Sequence, residues 1–511
     1  MSMKAPRESR PAKIGLPTLD ATQVPLALVV LASGLVRFVG LGKESIWLDE
    51  ATSILIARLN LSSVVAWAAG DIHPPLYYLA LHFWLRFGET EFAVRALSAV
   101  LGTLTVVVTY ALAQELFGPR VGVYAALLLA LSPLHIVYSQ EVRMYAMVTA
   151  WSLLASYLML LALRRQRWQY WLGYVICAVL SLYTHYFALF VLLFQGLFMI
   201  GWAWRKRVEK KQLWFSLLAL CTIAVMFLPW LPILYHQSTT GGGGWVEKSV
   251  GRPSWRSLVD TWVQFSIGLD RQPYSVWLRR LAYALFGLCL LSGVWVLTPV
   301  RTRARQAEAL GNQREGLLFC LTYVVVPLLT VWLLSQLKPM YTVRYLLPFL
   351  PAYCIFVAQG VHNLRWDWAR TIVVVLLASI LLVGDYGAWR TARNADWRGA
   401  SAFVLGQAQP GDVVLFSPRW DEKPFEYYAR QRMPINMDLP IPVTGEAAQQ
   451  VVTDLSQHYQ RVWLFWERGH YSDPFGFAKL ALDDRATPVE AGDFHGIHSL
   501  FLYDLSMSGR R

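Results

Sequence analysis

Charge is the first thing this chain has little of. Asp, Glu, Lys and Arg make up 15% of its 511 residues, whereas 56% are hydrophobic. That shortage excludes a soluble protein of this length and points to many membrane spans. Cysteine is scarce as well. The five present (Cys177, Cys221, Cys289, Cys320 and Cys354) all sit inside apolar segments without metal-ligand spacing, so they read as small buried side chains. A Gly-rich phosphate loop is missing too: Gly241-Gly242-Gly243-Gly244 lacks the Gly-Lys-Ser/Thr that must follow, and reads as a hinge or lid. No cleavable leader is expected. The first twenty-odd residues are polar, with Lys4, Arg7, Arg10 and Lys13, and the apolar stretch after them is long enough to span.

Long apolar runs are abundant. Eleven segments approach the length a bilayer requires: 24–40, 96–116, 121–138, 145–163, 170–182, 187–204, 213–234, 276–296, 317–337, 345–361 and 371–386. The 23 Trp and 24 Tyr fit so many helix ends at an interface. Basic clusters fall in alternate loops: Lys4 to Lys13, Arg120, Arg164-Arg165, Arg205-Lys206-Arg207, Arg301 to Arg314, and Arg365 with Arg370. The positive-inside rule makes that side cytoplasmic. The net charge of +13 therefore reflects topology and not nucleic-acid binding.

The expected organisation is a cytoplasmic tail over 1–23, a membrane domain over 24–386 and an extracytoplasmic α/β domain over 387–511. The membrane domain includes a first outer loop, 41–95, and a flexible outer loop, 235–275. In the tail, helices are predicted over 397–407 and 445–457, and strands over 413–416, 461–466 and 499–503. The location follows as a multi-pass protein of the plasma, or inner, membrane.

Three short stretches carry chemistry on the outer side. Asp49-Glu50 begins a loop too long for a simple connector, and carboxylates beside lipid point to function. In that loop one amphipathic helix is predicted over 52–69 and another over 76–87, after His73-Pro74-Pro75. Padding of the lipid boundary is the plainer reading for these helices. Glu141 and Arg143, with Tyr145 just after them, occupy a very short loop; an ion pair at a helix turn explains them equally well. Lys338, Arg344 and Tyr345 put cations on the side where topology disfavours them, which suggests a bound anion, with snorkelling as the plainer alternative. Arg95 closes the first loop.

A carboxylate at headgroup depth with cations around it suits a polyprenyl-phosphate sugar, whose tail lies in lipid and whose phosphate sits at the surface. One Asp acts as general base on an acceptor hydroxyl, which attacks the anomeric carbon and inverts it. Arg and Lys stabilise the departing phosphate.

Four motifs in order carry a resemblance: Trp47-Leu48-Asp49-Glu50-Ala51, His73-Pro74-Pro75-Leu76-Tyr77, Tyr138-Ser139-Gln140-Glu141-Val142-Arg143-Met144-Tyr145 and Arg344-Tyr345-Leu346-Leu347-Pro348. Over roughly residues 20–390 the chain resembles bacterial members of the dolichyl-phosphate-mannose–protein mannosyltransferase family, the aminoarabinose transferases among them. The resemblance implies an α-helical polytopic membrane protein of the GT-C fold, with about eleven transmembrane helices and a small α/β C-terminal domain. It also implies a polyprenyl-phosphate-sugar-dependent glycosyltransferase acting in cell-envelope glycan or protein glycosylation.

By position, the resemblance makes Asp49 the base, Glu50 its support and Glu141 the second acid. His73, Arg95, Arg143, Tyr145, Lys338, Arg344 and Tyr345 are the expected donor-phosphate and substrate residues. The aminoarabinose enzymes have Lys where this chain has His73, and Arg where it has Thr52, so two cations of that pattern are absent. No cofactor is required; a divalent metal stays open, since Asp49, Glu50, Glu141 and His73 can converge in space, but no ligand spacing indicates one. The partners are a lipid-linked sugar donor, a lipid, glycan or protein acceptor, and membrane lipids. A transporter or flippase of lipid-linked glycans is the alternative; it calls for charges in mid-span and an internal repeat, and the sequence displays neither.

Overall fold

A computed structural model describes residues 23–206, 210–240, 250–269, 274–295, 304–390, 392–466 and 472–506. The N-terminal tail and the glycine run at 241–244 lie outside them. All eleven apolar segments fall on helix. Eight helices are long and apolar enough to cross a bilayer, and a bent pair makes nine among the described residues. Two others, α1 (Gln23–Phe38, 16 residues) and Trp168–Thr184 (17 residues), fall short of the ~20 residues of a full span.

The first loop after α1 folds into three helices: α2 (Leu48–Ala57), α3 (Leu61–Gly70) and α4 (Leu76–Trp84). The sequence suggests one helix over 52–69, and the chain breaks it at Asn60. That side chain accepts the Ser63 N–H at 2.9 Å and starts a new helix there. Asp49 and Glu50, expected in the loop itself, occupy the first turn of α2, where the positive end of the helix dipole favours acids.

Beyond α5 (Glu91–Phe117), the expected span 121–138 is two helices. These are α6 (Pro119–Ala130) and α7 (Pro133–Ser139), bent by 62°. Pro133 cannot donate to the ladder and so ends α6. Arg37, buried on α1, donates to the freed carbonyls of Ala130 at 3.0 Å and Leu129 at 3.3 Å. Gly102 of α5 permits this junction, since a Cβ there would lie 2.2 Å from Ser139 Oγ. After the short loop comes α8 (Tyr145–Arg165).

The span over Val343–His362 is the interior helix of the membrane part, 94% buried. Its backbone touches the helix Val276–Trp295 at Gly360, where a Cβ would meet the Cys289 carbonyl at 1.8 Å. By contrast, α1 turns Leu28, Leu31 and Leu35 outward, as a lipid-facing helix does.

The C-terminal region forms a five-stranded sheet, ordered β2-β1-β3-β5-β4. Here β1 is Asp412–Ser417, β2 Ile435–Asn436, β3 Arg461–Trp466, β4 Val489–Phe494 and β5 Ile497–Asp504. Strand β1 runs parallel to β2 and β3, while β5 runs antiparallel to β3 and β4. Helices cover both faces, so β1 is buried along its whole length, and Val413–Phe416 within it is a continuous apolar run.

Candidate active site

The N-terminus of α2 sets the two adjacent carboxylates in opposite directions. Glu50 turns inward and is fully buried. Arg95 holds it with two hydrogen bonds, Nε to Oε1 at 2.8 Å and Nη2 to Oε2 at 2.6 Å. The Val142 N–H adds a third at 3.0 Å. The rest of the Arg95 guanidinium donates to the carbonyls of Leu41, Glu44 and Ser45 at 2.8–3.0 Å. The pair therefore fastens α5, the loop before α2 and the Glu141 loop into one unit. This corrects the expectation for Arg95: each of its nitrogens already has protein acceptors, so it has nothing to offer a phosphate. Glu50 is a bracket that fixes the position of Asp49.

Asp49 faces the other way, its side chain 25% exposed. Arg344 Nη1 lies 3.4 Å from Oδ2 and Arg143 Nε 4.0 Å from it. Arg143 also reaches the Asp49 carbonyl at 3.4 Å, Ser53 Oγ at 3.3 Å and His73 Nε2 at 3.3 Å. Because an arginine donates here, His73 Nε2 accepts and the ring proton sits on Nδ1. Burial pushes His73 well below the usual histidine range, and His185 and Arg143 push the same way, so the imidazole is neutral.

Aromatic rings close the floor. Tyr345 lies 4.9 Å from His185, 6.1 Å from Tyr145 and 6.3 Å from His73, between ring centroids. The Arg143 guanidinium rests 5.9 Å over Tyr145. Asp49, His73, Arg143, Tyr145, Arg344 and Tyr345, widely separated in sequence, thus converge. Lys338 is directed elsewhere; its ammonium donates to the Ser238 carbonyl at the end of the helix Leu231–Thr240.

Two residues outside the expected set join the cluster. His185, at the tip between Trp168–Thr184 and Ala188–Lys206, is buried, and burial lowers its pKa to about 3. Its Nδ1 accepts the Phe187 N–H at 3.2 Å, leaving Nε2–H buried without a hydrogen-bond partner among the described residues. The signal in the sequence was the polar Thr184-His185 break between two apolar segments. Asp71, just before His73, has its pKa raised by burial and lies within the electrostatic reach of Arg143 and Asp49. Its position two residues before His73 was the clue.

Glu141 stands on the other side of the short loop. It is partly buried and makes no hydrogen bond or ion pair with the described residues. Burial, reinforced by the Glu50 charge, raises its pKa to about 7. The C-terminal region grips this assembly from outside. Ile46 N–H donates to Tyr428 Oη at 2.8 Å, Tyr428 donates to Glu91 at 3.1 Å, and Asn394 Nδ2 donates to the Ser45 carbonyl at 2.8 Å. Arg398 adds an ion pair to Glu91 at 2.8 Å.

Residues 72–233 match the model of the dolichyl-phosphate-mannose-protein mannosyltransferase family. The match takes in the His73-Pro74-Pro75 and Glu141–Tyr145 motifs, and over that segment the resemblance read from the motifs is borne out. No protein of curated function matches the sequence. Among solved structures, the chain resembles ArnT from Cupriavidus metallidurans, in its apo state and bound to undecaprenyl phosphate. That likeness has a TM-score of 0.59 at 13% identity, over 96% of this chain and 100% of that one. It also resembles the archaeal oligosaccharyltransferase AglB from Archaeoglobus fulgidus, in complex with an inhibitory peptide and a dolichol-phosphate. There the TM-score is 0.57 at 12% identity, over 95% of this chain and 77% of that one. At these identities the likeness is one of fold. No group of three or more His, Cys, Asp or Glu able to hold a metal occurs among the described residues.

Proposed function

We propose that the protein is a membrane glycosyltransferase. It moves a sugar from a polyprenyl phosphate to a hydroxyl at the outer face of the plasma membrane. One observation carries the reading: a part-exposed carboxylate, Asp49, with two guanidiniums within 4.0 Å, at the ends of apolar helices. A donor with its chain in lipid and its phosphate at the surface suits that placement, and the matched family and the two structural likenesses support it. The cytoplasmic placement of the N-terminus rests on the alternating Lys and Arg loops. The α/β domain then lies outside, as an accessory that holds the Asp49 loop.

In this reading Asp49 takes the proton of the acceptor hydroxyl. The oxygen forms a bond to the anomeric carbon as the carbon–phosphate oxygen bond breaks, and the electron pair leaves with the polyprenyl phosphate. Arg344 and Arg143 face that developing charge. His73, being neutral, cannot replace the absent lysine as a cation; it orients Arg143 through its 3.3 Å contact. Glu141 and Asp71 are further carboxyls in reach of the acceptor.

The test uses full-length protein in lipid nanodiscs, with a panel of undecaprenyl-phosphate sugars and solubilised envelope material as acceptor. Release of undecaprenyl phosphate coupled to a glycosylated product is expected. Absence of transfer with every donor, from protein that melts cooperatively, would overturn the reading.

A further inference from the structure

A cavity opens beside the Gln140-Glu141 loop, and Arg344 is not among its lining residues. It measures about 380 Å³ and lies between α1, α7 and the helix Asp367–Arg390. Leu35, Val39, Ile136, Val137 and Leu382 form a mostly apolar wall, in which Asp385 is the one carboxyl. Its mouth is polar, at the end of the helices where Asp49 lies. Lys43 donates to the Trp389 carbonyl at 3.0 Å and rests 4.7 Å over that indole. Arg393 reaches Gln140 Oε1 at 3.5 Å. Glu44, the acid at the mouth, already accepts the backbone N–H groups of Arg393 and Asn394 at 3.2 and 3.3 Å. Lys43 and Arg393 are exposed, and neither pairs with a carboxylate at ion-pair distance among the described residues.

We infer that this groove is a binding site for an anionic membrane lipid. One apolar chain lies along Leu35, Val39, Val137 and Leu382, and the phosphate sits between Lys43 and Arg393. Three observations point to one occupant. The wall is concave and apolar and opens where the outward leucines of α1 place the bilayer. The two cations stand at the rim of that wall, where a headgroup would be, against the positive-inside trend. Of the two acids that line the cavity, Glu44 is already bonded to the backbone, and Asp385 makes no ion pair with either cation among the described residues. Because Gln140 precedes Glu141, the headgroup lies beside the carboxyls given to the acceptor. That last relation rests on the transferase reading; the binding itself does not.

The experiment is photo-crosslinking in nanodiscs with phosphatidylglycerol or phosphatidylcholine carrying a chain diazirine, mapped by peptide mass spectrometry. Labelling of the peptides around 136–140 and 382–389 is expected to favour phosphatidylglycerol, by about fivefold for each cation engaged. Lys43→Gln with Arg393→Gln should bring the two lipids to parity. Val39→Trp, which fills the groove from its exposed side, should remove labelling by both. Equal labelling of the wild-type protein by both lipids would overturn the site. Displacement of the label by undecaprenyl phosphate ahead of phosphatidylglycerol would also overturn it, since the groove would then be the donor's. Neither readout depends on transfer activity, so a failed transferase reading would not be mistaken for a failed lipid site.

Discussion

Helices α5 and α8 carry charged clusters at both ends, and the two clusters are built differently. At the end away from Asp49, Glu115 pairs with Arg164 at 3.2 Å and Arg165 at 2.8 Å. There Glu315 pairs with Arg164 at 2.8 Å and Lys206 at 3.3 Å. Each carboxylate has two cations at close range, and the network closes on itself. Around Asp49 itself the ion-pair contacts are longer, 3.4 and 4.0 Å, and Tyr145 Oη and His185 Nε2 are buried with no hydrogen-bond partner among the described residues. A network that ties helices together satisfies its groups internally. One that awaits a ligand leaves donors facing a space.

The largest effect should come from Asp49→Asn. Loss of the proposed base is expected to lower transfer about 10²–10⁴-fold. Because the side chain is part-exposed and its contacts are long, the melting temperature should hold. A variant as active as wild type would remove the distinction between the two ends.

Glu50→Gln should act through stability instead. It strands the Arg95 guanidinium, 3% exposed, against a neutral amide. Breaking one partner of such a buried pair costs about 3–5 kcal/mol. Thermal melting should register it, and the double change Glu50→Gln with Arg95→Met should recover part of the loss. An unchanged melting temperature in the single variant would mean that Glu50 is no bracket.

Glu141 gives a pH-dependent test. Its pKa of about 7 lies above the ordinary glutamate value of 4.5. Between those values the folded protein holds a proton that the unfolded chain releases, so this group's contribution to stability falls as pH rises through the window. Glu141→Gln should flatten the slope of melting temperature against pH and raise stability above pH 7. A slope identical to wild type would show that the group titrates normally. At the closed end, Glu315→Gln is expected to cost only about 1 kcal/mol, since its partners are part-exposed, and to leave transfer intact.

The contrast between the ends was half visible in the sequence. Hydropathy located every span because the bilayer imposes length and apolarity on each segment independently. Asp49, His73, Arg143 and Arg344 were legible as polar residues at helix ends, where solvation discourages them. The opposite fates of Asp49 and Glu50 were not. They depend on Arg95 arriving from another helix, a tertiary fact that neither spacing nor propensity carries. His185 stands alone in the sequence for the same reason, because its neighbours His73 and Tyr345 come from distant segments. The break at Ser132-Pro133 was written in the proline but masked by unbroken hydropathy.

The smallest effect predicted at the Asp49 end concerns the outer grip on the Asp49 loop. Tyr428→Phe keeps the ring but removes the oxygen that accepts the Ile46 N–H and the proton that Glu91 receives. Two hydrogen bonds are lost, and each of this kind costs about 0.5–1.5 kcal/mol. If the α/β region only rests on the membrane part, the change should shift melting and leave catalysis alone. If it holds the Asp49 loop in register, turnover should fall while donor affinity, which the proposed function assigns to Arg143 and Arg344, stays constant. Steady-state transfer against donor concentration separates the two: a lower kcat at unchanged KM assigns the tail to the active end of the comparison, and unchanged constants assign it to the structural end.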